Sequence, residues 1–245
     1  MAKSIKKVRG PIAVTVAVLV VLVTACVLFF ILCRVDSITV EGCELYSTDE
    51  IIEVAGIEKG IFILSVDGDG AVRSILQKFS VIKKADVSVS LPDKVVITVV
   101  EEPPTFCTAI GVSTVMFSHE LRVAEVRMNS TDVDGIPVIL PEISEAIGGK
   151  RIVFSDGEPS YITRMLQAVS VCELLTRITL IDCTSARNAS VTVDGKYTLI
   201  TGGISDIDVK LDIALEYLKN ERITASKSAV LDLTDPKEVI VTVEE

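Results

Sequence analysis

The pattern of apolar and polar positions opens with an uninterrupted apolar run. Residues 11–33, PIAVTVAVLVVLVTACVLFFILC, are 23 consecutive residues without a charge. As a helix rising ~1.5 Å per residue this run reaches about 34 Å, enough to cross a hydrocarbon core of ~30 Å with some tilt. The pattern then changes period. Ser37-Ile38-Thr39-Val40 alternates polar and apolar, as a half-buried strand does, and Gly42 follows as a turn. Ser47-Thr48-Asp49-Glu50 is a capping box that starts a short helix over 48–55, with Gly56 at its C-terminal stop. Val72, Ile75, Leu76 and Phe79 recur at helical spacing and predict a second helix over 70–79. Ala85, Val87, Val89 and Leu91 alternate with polar residues, Leu91-Pro92-Asp93-Lys94 is turn chemistry, and 95–100 is the returning strand. The order is β-α-α-β-β over about seventy residues, a modest core.

Beyond Pro104 the elements are shorter strands mixed with two longer helices. Strands are expected near 106–110, 114–117 and 121–126, then a polar loop over 129–135 and an apolar segment at 138–140. A helix over 160–176 carries Ile162, Met165, Leu166, Val169 and Cys172 on one stripe. Strands follow at 178–183, 190–193 and 197–201, the last two joined by the hairpin turn Asp194-Gly195-Lys196. Ser205-Asp206-Ile207-Asp208 caps another helix with Ile207, Leu211, Ala214, Leu215 and Leu218 as its stripe. Two strands, 229–233 and 239–243, close the chain around Thr234-Asp235-Pro236-Lys237. The expected fold class is α+β: one transmembrane helix, a β-α-α-β-β domain, and a mixed domain whose sheet is packed by helices. The expected boundaries are a tail at 1–10, the span at 11–33, a small domain at 35–104 and a β-rich domain at 105–245.

Charge orients this arrangement. Lys3, Lys6, Lys7 and Arg9 precede the span, and only Arg34 follows closely, so the N-terminus is expected in the cytoplasm and the remainder outside. Beyond the tail, 20 Lys and Arg face 34 Asp and Glu. Such an acidic ectodomain, with 4% aromatics and no Trp, argues against nucleic acid and against anionic lipid surfaces. Two rival readings of the run are weaker. A cleaved signal peptide has a shorter apolar core and a small-x-small site. A lipoprotein signal is suggested by Val23-Thr24-Ala25-Cys26, but the apolar run continues after the cysteine where such signals turn polar.

Candidate chemistry is sparse. Cys26 and Cys33 lie in the apolar run. Cys43, Cys107, Cys172 and Cys183 lie outside it and match no CxxC or zinc spacing, and a disulfide between any two stays open. The one histidine, His119, reads as an exposed turn residue. Asp67-Gly68-Asp69-Gly70 lacks the later ligands of a calcium loop, and Asp69 as helix N-cap explains it. Asn129-Ser130-Thr131 and Asn188-Ala189-Ser190 fit the short glycosylation sequon. No nucleophile–base set and no phosphate loop is present, and no catalytic residue, cofactor or metal site is expected. The strand formed by Glu238, Val239, Ile240, Val241, Thr242 and Val243 offers an alternative to chemistry. As a sheet edge it would accept a partner's strand. Its flanking Glu238, Glu244 and Glu245 would equally blunt such an edge, and physics alone leaves the two readings even.

This order of parts resembles the FtsQ family of bacterial cell-division proteins, called DivIB in Gram-positive bacteria. The small domain resembles their POTRA domain. Val35-Asp36-Ser37-Ile38-Thr39-Val40-Glu41-Gly42 looks like the family's opening strand, and 47–56 like its first helix. Leu91-Pro92-Asp93 with 95–104 looks like its hairpin and acidic-proline junction. Ile139-Leu140-Pro141, Gly203, Lys210-Leu211 and Val230-Leu231-Asp232-Leu233 also fit, while Ser118-His119-Glu120 departs from the family's usual turn. The resemblance implies a non-enzymatic divisome scaffold at the septum. It would bind FtsL and FtsB/DivIC-type coiled-coil partners through its last strands, and act on the septal peptidoglycan synthase complex indirectly. The alternative is another POTRA-bearing single-pass protein acting in export or envelope assembly.

Overall fold

The structure, a computed structural model, describes residues 6–128, 134–157 and 160–244. Lys3 and the sequon Asn129-Ser130-Thr131 lie outside the described residues. The chain forms two compact units, Met1–Lys78 with Ile82–Glu101, and Phe79–Val81 with Glu102–Glu245. The architecture is mixed α+β behind one apolar N-terminal helix, as the sequence leads one to expect.

The first unit begins with α1 (Lys6–Leu32), whose stretch Val14–Leu32 is long and apolar enough to cross a membrane and is not buried by protein. The helix ends one residue before the end of the expected span. Cys33 leaves the helix and is buried, because the backbone there turns onto the segment 60–63. The Ile63 N–H donates to the Cys33 carbonyl (2.9 Å), the Val35 N–H to the Ile61 carbonyl (3.0 Å) and the Gly60 N–H to the Val35 carbonyl (2.7 Å). Phe30 stacks on Phe62 with ring centroids 4.8 Å apart, and Phe29 meets the same ring edge-on at 6.1 Å.

Three strands follow in the order β1-β3-β2, where β1 is Ser37–Glu41, β2 is Ile82–Ser90 and β3 is Lys94–Glu101. β1 pairs with β3 in parallel, and β2 with β3 as an antiparallel hairpin. The alternation in β3 is a burial pattern: Val95, Ile97 and Val99 point into the core, with Val96, Thr98 and Val100 on the other face. The helices α2 (Thr48–Ala55) and α3 (Gly68–Lys78) supply Ile51 and Ile75 to that core. Both halves of the capping box of α2 are formed, between Ser47 and Glu50, and Gly56 adopts φ 65° at its end. The cap of α3 is Asp67 rather than the expected Asp69. The Asp67 Oδ1 accepts from the Gly70 N–H (2.9 Å), the usual N-cap to third-residue bond. Gly42 is required where it stands: at φ 79° a Cβ would sit 2.2 Å from the Val99 carbonyl oxygen.

The second unit carries a nine-stranded sheet in the order β14-β13-β12-β11-β10-β7-β4-β5-β6. One end is the meander β4 (Phe106–Ile110), β5 (Ser113–Phe117) and β6 (Val123–Met128). β7 (Ile136–Ile139) lies parallel to both β4 and β10 (Ile178–Asp182). β11 (Ser190–Val193) and β12 (Tyr197–Ile200) form the hairpin read from Asp194-Gly195, where Asp194 takes φ 53° and Gly195 φ 70°. β13 (Ser228–Asp232) runs parallel to β12, and β14 (Ile240–Glu244) pairs antiparallel to β13. A separate small hairpin of β8 (Ile143–Glu145) and β9 (Val153–Phe154) was not expected, because strands of two or three residues carry no readable period.

Helix α4 (Ser160–Val171) buries Ile162, Met165, Leu166, Ala168 and Val169 in the same apolar cluster as the inward residues of the sheet. It ends before the expected 176. The chain tightens into a 3₁₀ turn at Leu175–Arg177, which places Leu174 in the core at 1% exposure and delivers Ile178 to β10. Helix α5 (Ile207–Tyr217) is entered through Asp206 at φ 55° with no side-chain cap, unlike the cap expected at Ser205 to Asp208. Its Lys210 is buried and donates from Nζ to the Thr201 (2.7 Å) and Gly203 (3.1 Å) carbonyls. A short α6 (Glu221–Thr224), capped by Asn220, completes the unit.

Candidate functional site: the β14 edge

β14 exists because β13 gives it a register and the intervening turn fixes its start. The Asp232 Oδ1 accepts from the Thr234 N–H (2.9 Å), the Asp235 Oδ1 from the Lys237 N–H (2.9 Å), and the Asp235 carbonyl from the Glu238 N–H (3.1 Å). These bonds hold Glu238 in the turn, so the strand starts at Ile240 and not at Glu238 or Val239 as the sequence suggests. Glu244 joins it at the other end. The bonds from Thr234 to the Asp232 carboxylate also hold its pKa below the ordinary carboxylate value.

The pairing Leu231↔Val241 and Ala229↔Val243 puts Val241 and Val243 on the face of the buried Leu231 and Ala229. Val239 and Val241 pack partly against the apolar core. Ile240 and Thr242 share the opposite face with Asp232 and Val230, where Ile240 is 60% and Val230 38% exposed. β13 occupies one side of the β14 backbone, and among the described residues no strand occupies the other. The edge therefore offers main-chain donors and acceptors flanked by apolar side chains on both faces. Of the flanking acids, Glu244 is turned back onto its own hairpin, where its Oε2 accepts from the Ser228 hydroxyl (2.8 Å).

The other sequence candidates fall elsewhere. Lys6, Lys7 and Arg9 lie in the first turns of α1. Of the two aspartates of the suspected calcium loop, Asp67 caps α3 and Asp69 lies in its first turn, and no cluster of three metal-ligating residues includes them among the described residues. All six cysteines are free thiols, so no disulfide forms among them. Burial pushes the Cys183 thiol up to about 12 and raises Cys107 and Cys172 as well, the reverse of what an activated nucleophile needs. Cys43 is raised too, by burial and by the carboxylate of Glu101. That carboxylate accepts from the Cys43 thiol (3.2 Å) and from the Glu44 and Leu45 N–H groups (3.0 Å each), closing the loop before α2.

His119 is not the solitary exposed residue that its turn suggests. Its Nδ1 lies 3.9 Å from Oε1 of the buried Glu102, and donor atoms of Glu102, His119 and Glu120 lie within 4.8 Å of one another. Sequence reading missed this cluster because Glu102 and the turn meet only through the fold of the second unit.

Comparison with known families adds one match: residues 33–102 fit the family model for the POTRA domain, FtsQ-type. A search of curated proteins found no match.

Proposed function

We propose that the chain is a cell-division protein, a non-enzymatic divisome scaffold like FtsQ/DivIB, on the strength of its FtsQ-type POTRA domain behind one apolar helix. The span anchors it in the cell membrane with the basic tail, Lys3, Lys6, Lys7 and Arg9, in the cytoplasm. The POTRA unit brings it to the septum. The β14 edge binds FtsL and FtsB/DivIC-type coiled-coil partners by strand addition, and through them the septal peptidoglycan synthase complex is recruited or regulated.

The observation that carries the assignment to division is the FtsQ-type domain immediately behind the apolar helix. What supports the binding mode is the unpaired side of β14, with apolar residues on both of its faces. A fluorescent protein fused before Met1 tests the role in the native host. A mid-cell band that follows the division cycle is expected, and Val241→Lys is expected to keep that band while losing the coiled-coil partners in co-purification. Uniform membrane fluorescence throughout the cycle would sink the division role. Retention of the partners by Val241→Lys would sink the strand-addition mode.

A further inference from the structure

Glu102 is a buried carboxylate that nothing neutralises by hydrogen bonding. It is 6% exposed, and neither oxygen has a hydrogen-bond partner among the described residues. An ionised group removed from water without partners is strongly unfavourable, so such sites are paired, neutralised or bound to metal. An ionisable neighbour is His119, whose Nδ1 stands 3.9 Å from Oε1. That is beyond hydrogen-bond length, so a protonated imidazole does not donate to it here. Glu120 brings a third donor atom, a carboxylate oxygen, into the same 4.8 Å cluster.

The backbone carrying these groups is fixed. The Ser118 N–H donates to the Arg122 carbonyl (3.0 Å) and the Leu121 N–H to the Ser118 carbonyl (2.9 Å). The buried Ser118 hydroxyl oxygen accepts from the Glu120 (3.3 Å) and Arg122 (3.2 Å) N–H groups. Leu121, fully buried at φ 64°, closes the turn. On the other side the Glu102 N–H donates to the Val81 carbonyl (2.9 Å). Of the two guanidinium groups nearby, Arg151 donates from Nε to the Glu120 carbonyl (3.0 Å) and Arg122 from Nε to the Ser80 carbonyl (3.1 Å). Glu120 has a further partner of its own, so Glu102 and His119 carry the case and Glu120 completes the donor set.

We propose that Glu102, His119 and Glu120 bind a divalent cation of the zinc class within the second unit. One imidazole nitrogen and two carboxylates, with a fourth position for water, is a donor set that zinc accepts, and the nitrogen disfavours calcium and magnesium. Ligand atoms about 2.0–2.1 Å from a tetrahedral zinc stand about 3.3 Å apart, so the 3.9 Å pair must close by roughly half an ångström, within side-chain rotation. The ion would staple residue 102 to the β5–β6 turn and satisfy the buried charge.

The test uses the full chain in detergent, stripped of metal and purified without a histidine tag. Titration with zinc chloride by calorimetry is expected to give one equivalent, weakened about tenfold or more in both His119→Ala and Glu102→Gln. Cobalt substitution separates these ligands from the cysteines. A visible d–d spectrum without thiolate charge-transfer bands is expected, and it should be absent from His119→Ala. The spectrum of the unaltered chain stands even if Glu102→Gln fails to fold. No saturable zinc binding, binding unchanged in His119→Ala, or a cobalt spectrum dominated by thiolate would each overturn the site.

Discussion

The two sheets end differently. In the first unit the outer strand β2 shows solvent Lys83, Lys84, Asp86, Ser88 and Ser90, with Val89 the one apolar residue on that stretch exposed at 40%. Lysines and alternating polar groups along an edge are how a sheet avoids unwanted pairing. In the second unit β14 shows Ile240, Thr242 and Val243, and its acids sit at the ends, one of them folded back onto Ser228. The same backbone geometry is therefore lined by lysines and polar residues in one sheet and by apolar residues in the other. What decides is which side chains line the edge.

The largest effect should come from removing the support beneath the open edge. Leu231 is fully buried directly opposite Val241. Leu231→Ala is expected to destabilise the second unit by about 3 kcal/mol, typical of leucine truncation in a core. Urea unfolding followed by hydrogen exchange would register it, with the protection of β3 in the first unit unchanged. Loss of protection in both units together would show that the two sheets do not fail independently.

Next in size is converting the open edge into a closed one. The double substitution Ile240→Lys with Thr242→Lys copies the lysines of β2 without touching the core face. Partner affinity, read by biolayer interferometry with an FtsB/DivIC-type ectodomain, is expected to fall about 100-fold, or about 2.7 kcal/mol. Val89→Lys on β2 should leave that affinity within about twofold. Equal losses from both edges would erase the distinction between them.

The smallest effect concerns acid. The pKa of Asp232 is depressed by its bonds to Thr234, so its contribution is present above the ordinary carboxylate value and fades as pH falls through the depressed one. Between pH 5 and pH 3 the turn before β14 should loosen by less than about 1 kcal/mol, since the group is near solvent. Lower protection of the Thr234 and Ile240 amides relative to their intrinsic exchange rate at each pH, an effect suppressed in Asp232→Asn, is the expected reading. Unchanged protection would remove the carboxylate from the account of the edge.

How far the sequence foretold this depends on distance along the chain. α2 was legible to the residue, because the Ser47–Glu50 box and Gly56 are local signals. β3 was legible because a β-branched run over 95–100 follows the turn Leu91-Pro92-Asp93-Lys94, and the structure extends it by one residue at each end. The cap of α3 was misplaced by two residues because Asp67 and Asp69 are chemically alike, and only helix phase separates them. α6, β8 and β9 are too short to carry a period. In the candidate site, the β-forming run 239–243 was visible, yet its position at an edge follows from β13 lying parallel to β12. The burial of Glu102 beside His119 was equally invisible, since it depends on the Ser118–Arg122 turn folding back.

The passage from α1 into β1 contains almost no slack. Cys33 and Val35 are hydrogen-bonded to Ile63 and Ile61, and Phe30 stacks on Phe62 at an interplanar angle of 30°. With α1 in a bilayer, the POTRA unit rides at a set height above the lipid and cannot swing as a ball on a string. Its encounters are confined to a thin layer parallel to the surface, where a low copy number gives a high local concentration. Lengthening that passage with a flexible insert would leave every fold intact while diluting the protein among its own neighbours.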